Sequence, residues 1–184
     1  DFVIRFTHEA DARRVLAVVP ERFGKSGLTL HPDKTRLVAF HHPQRKRRGG
    51  PGNRQERPGT FDLLGFTHYW GRTYRGGWAV RRQTASKRLS RAVRSIVAWC
   101  RTFRHRPVRE QHATLSQKVR GHYAYYGIPG NDRMLQGFLY AVHRVWRKWL
   151  DRRNSRREMT WDRFNRLLER YSLPPPRIVH SHVT

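Results

Sequence analysis

With 184 residues, 37% of them hydrophobic and 12% aromatic, the chain has the material for a packed core in one large domain or two small ones. Its 39 Lys and Arg against 13 Asp and Glu leave a net charge of +26. Such a load repels itself unless a polyanion neutralises it, and the prevalence of Arg, whose planar fork matches phosphate and stacks on bases, makes nucleic acid the expected partner. One cysteine excludes an internal disulfide framework and a multi-cysteine zinc site. No apolar run approaches the length of a transmembrane helix and no signal-peptide core opens the chain, so a cytoplasmic location is expected.

The first 40 residues alternate strand and helix signals. FVIRF, residues 2–6, predicts a short buried strand. Thr7 is placed to cap a helix over residues 8 to about 23, which Gly24 and Gly27 end. GLTLHPDKTRLVAF, residues 27–40, predicts extended chain, a proline turn and extended chain, giving a β-α-β-turn-β unit. Residues 41–60 contain no large apolar side chain, are rich in Gly, Pro and Arg, and predict a mobile basic loop. FDLLGFTHYWGR, residues 61–72, and the following WAV return to strand signals, with residues 72–77 as a hairpin connection. A boundary is expected near residue 82.

Beyond Lys87 the apolar period becomes helical. Leu89, Val93, Ile96, Val97, Cys100 and Phe103 share one face of a helix, and Arg88, Arg91, Arg94, Arg101 and Arg104 occupy much of the rest. After Pro107, a second helix carries Leu115, Val119, Tyr123 and Tyr126 on one face. GIPGND breaks the pattern, and Asn131 or Asp132 can cap a third helix bearing Leu135, Phe138, Leu139, Val142, Val145, Trp146 and Trp149. Thr160 caps a fourth, with Trp161, Phe164, Leu167, Leu168 and Tyr171 inward, and the prolines at 174–176 stop it.

Chemistry-bearing motifs are sparse. Neither His41-His42 nor His180-x-His182 has further ligands at metal-site spacing, and no phosphate-binding glycine loop occurs. The aspartates sort by position: Asp11 on the first helix, Asp33 in a turn, Asp62 at a strand start, and Asp132, Asp151 and Asp162 near helix ends. Asp1 alone heads an apolar strand. Nucleic-acid polymerases set paired aspartates at such a place, where two divalent metals activate the primer hydroxyl and stabilise the leaving pyrophosphate.

Taken in order, these segments resemble the C-terminal part of a bacterial group II intron reverse transcriptase/maturase over essentially the whole chain. Asp1-Phe2-Val3-Ile4 resembles the end of the Tyr-Ala-Asp-Asp palm motif, with Asp1 as the second paired aspartate. Residues 27–40 resemble the next polymerase block, in which Lys34 corresponds to a lysine that helps the departing pyrophosphate. FDLLGFTHYWGR resembles the block that closes the palm and grips the primer end, here through Leu64, Gly65 and Phe66. KVRGHYAYYGIPGN with VHRVWRKWL and MTWDRFNRLLERYSLPPPRIVH resembles the thumb, or maturase X domain.

The resemblance implies an α+β chain: a partial palm, with a short antiparallel sheet and one helix, over residues 1–82, then an α-helical thumb/maturase bundle over residues 83–184. It implies Mg2+ in the intact parent and none for this piece, with intron RNA and an RNA–DNA primer–template as partners. The fingers, the first palm aspartate and Tyr-Ala-Asp are not in the sequence, so residues 1–184 alone are expected to lack polymerase activity. Arg91, Arg94, Arg120, His122, Arg144, Arg147 and Lys148 are the expected RNA contacts. Tyr125 is expected to stack on a base, whereas Tyr123 and Tyr126 have core spacing. A reverse transcriptase domesticated for spacer acquisition or phage defence would show the same motifs. A basic structural RNA-binding protein would share the charge but not the palm-like first 40 residues.

Overall fold

Five helices and a small three-stranded antiparallel sheet make this a mixed α+β chain, described by the computed structural model over residues 2–32, 35–43, 58–153 and 158–180. It divides into two units, Asp1–Arg81 and Arg82–Thr184.

In the first unit, α1 (Glu9–Gly24) has acidic residues in its first turn and a basic one in its last, matching the helix dipole. His8, not Thr7, occupies its N-cap position, and no side-chain cap bond forms there. Strands β1 (Phe61–Leu63) and β2 (Phe66–Arg72) pair antiparallel with Leu63 opposite Phe66, and β3 (Trp78–Thr84) completes the order β1-β2-β3. Leu64 and Gly65 form the first turn, both at positive φ (49° and 83°), which suits a two-residue hairpin. At the second turn Thr73 N–H donates to Gly77 O at 2.8 Å and Gly76 takes φ +78°, a conformation glycine adopts without a Cβ clash.

The strands expected at residues 2–6 and within 27–40 are not formed. A strand exists only where a neighbour takes its backbone hydrogen bonds, and no such ladder forms beside these segments among the described residues. Phe2, Val3 and Ile4 stay about half exposed, with Phe2 stacked on Phe23 at 5.4 Å. Residues 38–43 run beside the sheet through rings instead: Phe40 meets Phe61 at 5.0 Å and Trp70 at 5.6 Å, and His42 meets Trp70 at 4.9 Å. Most of the basic loop expected at residues 41–60 lies outside the described residues.

The core belongs to the second unit. Helices α2 (Ser86–Phe103), α3 (Val108–Tyr126) and α4 (Asp132–Asp151) pack together, with α2 against α4 and α3 touching both. Leu115, Val119, Leu135, Phe138, Val142, Trp146 and Phe164 are buried at its centre, Phe164 coming from α5 (Trp161–Arg170). Two amides satisfy what this packing would otherwise strand. Gln111 accepts from Trp146 Nε1 at 3.0 Å and donates to the Arg104 and Arg106 carbonyls, joining the α2–α3 turn to α4. Asn131 accepts from Thr84 N–H at 2.9 Å and donates to Thr84 Oγ1 and to Tyr126 O, each at 2.8 Å. Its side chain makes no cap bond to α4, contrary to expectation. Thr160 does cap α5, accepting from Arg163 N–H. Trp161, expected inward, is 41% exposed.

Candidate nucleic-acid interface

Where the cations go is decided first by what could neutralise them. Residues 63–109 hold twelve Lys and Arg and no Asp or Glu. The three ion pairs among the described residues, Arg13–Glu9, Arg14–Asp11 and Lys25–Glu21, all lie on or beside α1. The second unit therefore presents its cations unpaired with any carboxylate among the described residues. Several lie over rings instead: Arg106 over Phe103 at 4.4 Å, Arg144 over Tyr140 at 5.9 Å and Arg152 over Trp149 at 5.3 Å. A guanidinium held this way keeps its charge and its outer donors.

Arg91 and Arg94 are exposed on α2, Arg120 on α3, and Arg144 and Lys148 on α4. Tyr125 is 53% exposed, its ring edge-on to Tyr126 at 4.8 Å. Tyr126 is half-buried, and Arg88 and Arg91 lie close enough to act on its phenol. Arg147 is half-buried and held from within, donating to Met159 O at 2.6 Å and lying over Trp161 at 4.7 Å, so it braces α5 against α4. Tyr123 is buried as its spacing suggests, donating to Pro174 O at 3.3 Å, and burial pushes its phenol up to about 12.

His122 departs from expectation. It is buried at 8% exposure, stacked on Phe138 at 3.8 Å and tilted against Tyr126 at 4.6 Å. Burial pushes its imidazole down to about 4, so at neutral pH it carries no charge to offer a phosphate. Three residues after Val119 and four before Tyr126, it sits on the inner face of α3, a signal already present in the helical period. Burial also lowers His143, and it pushes the inert Cys100 thiol up to about 12.

In the first unit, Leu64, Gly65 and Phe66 make the β1–β2 turn, with Leu64 59% exposed at positive φ. A leucine rarely adopts that conformation, and such strain concentrates at contact sites. At the β2–β3 turn Tyr74 is fully exposed, beside Arg72 and Arg75. Its exposure depends on the hairpin geometry, and sequence reasoning passed over it. Arg72 is fixed there by its contact with Trp78 at 4.4 Å and its bond to Gly76 O.

Asp1 and Lys34 lie outside the described residues. Among the described residues no group of three or more His, Cys, Asp or Glu assembles that could hold a metal ion, so nothing there builds the magnesium site the resemblance implies. No helix among them is long and apolar enough to cross a membrane. No family model, no curated protein and no solved structure matches this chain.

Proposed function

We propose that the chain is the RNA-binding part of a group II intron reverse transcriptase/maturase, a partial palm followed by a thumb that grips structured intron RNA and, in the parent, the primer–template. The observation that carries the reading is the helical second unit, whose described cations have no carboxylate partner. A surface left with unpaired guanidinium and ammonium groups gains most from a polyphosphate, which it neutralises while releasing counterions. The ordered motifs from Asp1 to the X-domain segment narrow the polyphosphate to intron RNA.

The purified chain is expected to bind a structured intron RNA more tightly than a shuffled RNA of equal length, with the logarithm of affinity falling linearly against that of salt concentration. Equal affinity for both RNAs in a filter-binding assay would sink the maturase reading. On the same reading residues 1–184 alone leave a primer unextended, because Asp1 has no partner carboxylate from the palm motif within them. Template-dependent extension by the purified chain would refute that.

A further inference from the structure

We propose that the furrow between α2 and α4 holds one single strand of nucleic acid by its phosphates. The proposal rests on the nucleic-acid reading above and adds where, and in what form, the ligand is held. Two open hollows, of about 810 and 390 Å3, lie along the furrow. In the first, Val97, Arg101 and Arg104 of α2 face Trp149 and Arg152 of α4. In the second, Val93 of α2 faces Arg144, Val145 and Lys148 of α4, with Trp161 of α5 also in the wall. Residue numbers rise together on both walls, so α2 and α4 run in the same direction, and Asp151 lines both hollows and joins them. At about 1.5 Å per residue each wall is about 17 Å long.

The lining favours an anion throughout. Among the described residues Asp151 is its one carboxylate, and that group is already occupied, accepting the Met159 N–H at 2.7 Å. Size then selects the form of the ligand. With helix axes only about 8–10 Å apart, the furrow on their surface is narrower than a duplex, which would rest on its rims, whereas a single chain of phosphates can lie along it. An apolar floor of Val93, Val97 and Trp149 under cationic rims, with the exposed Trp161 ring nearby, is the combination that single-strand grooves use.

Fluorescence anisotropy of the full chain with a labelled oligouridylate, and with an RNA duplex of the same length, tests the assignment. Arg101→Gln with Lys148→Gln removes one cation from each wall. It should weaken oligouridylate binding at least about tenfold and reduce the salt slope by about 1.4, two phosphates at about 0.7 each. Arg144→Gln with Arg152→Gln should repeat the loss. Arg109→Gln with Arg166→Gln removes the same charge from exposed positions outside the furrow and should cost clearly less. Duplex affinity should fall less than oligouridylate affinity in both furrow variants. Circular dichroism of each variant should match the parent, since every altered side chain is exposed. Equal losses in furrow and control pairs would overturn the furrow while leaving the RNA reading intact, and a parent chain that binds no RNA overturns both. An equal or larger loss of duplex binding overturns the single-strand assignment. Displacement of the oligouridylate by oligoglutamate of matched charge reassigns the furrow to an acidic peptide.

Discussion

His122 is a polar residue turned into core, and its chemistry makes the fold sensitive to acid. An exposed imidazole in the unfolded chain takes up a proton near pH 6.5, whereas the folded chain resists protonation down to about 4. Between those values the unfolded state binds more protons. The stability held above pH 6.5 is therefore lost progressively as pH falls toward 4, by up to roughly 3 kcal/mol from this residue. His143, lowered by burial as well, adds in the same direction. Urea midpoints measured at pH 7.5 and pH 5 should fall for the parent and fall distinctly less for His122→Phe, which keeps an aromatic ring against Phe138. Identical pH profiles would remove His122 as the cause. Asn131 is the other residue on which much depends. Asn131→Ala leaves the Thr84 amide buried with no acceptor and strips two further bonds. A loss of roughly 2–4 kcal/mol in urea denaturation is expected, larger than for a typical surface change.

At the scale of elements, the helices and the three strands between residues 61 and 84 were legible, whereas the strands expected at residues 2–6 and within 27–40 did not form. Leu89, Val93, Ile96 and Cys100 recur at helical spacing, so α2 could be drawn from the sequence with its inner face correct. The same period held His122, but histidine's usual place at surfaces and sites outweighed its position. FVIRF reads as a strand by composition, yet strand formation depends on a neighbour that composition does not name. The furrow was illegible for a similar reason. Arg101, Arg104 and Arg152 become one site only when α2 packs beside α4, and one sequence carries no pairing signal for that. The C-terminal segment shows a further dependence on contact. Val179 and His180 N–H both donate to Gly127 O, and His112 and Tyr123 bond the Ser172 and Pro174 carbonyls. A Cβ on Gly127 would press on Tyr123 O and lie 2.7 Å from Arg177 O. Gly127→Ala should therefore cost roughly 1–3 kcal/mol and raise hydrogen exchange at Val179 and His180 first. Unchanged exchange there would show that the segment does not depend on this close approach.

For the whole molecule, charge places stability and binding on opposite sides of one variable. With +26 net and the ion pairs among the described residues confined to the region of α1, the second unit folds against its own repulsion. Salt screens exposed charges over about 10 Å at 0.1 M and about 3 Å at 1 M, so added sodium chloride relieves that repulsion. The melting temperature of the free chain should therefore rise steadily with salt. RNA affinity should fall over the same range, because each phosphate contact must then compete with more cations. A saturating polyanion at low salt should raise the melting temperature as well, since it binds the folded form, and make that temperature nearly independent of further modest salt until the complex dissociates. Differential scanning fluorimetry across a salt series, with and without an intron RNA, reads all three trends. A free chain whose melting temperature is flat or falls with salt would mean that its cations are already compensated within the fold, and the argument from unpaired charge would fail.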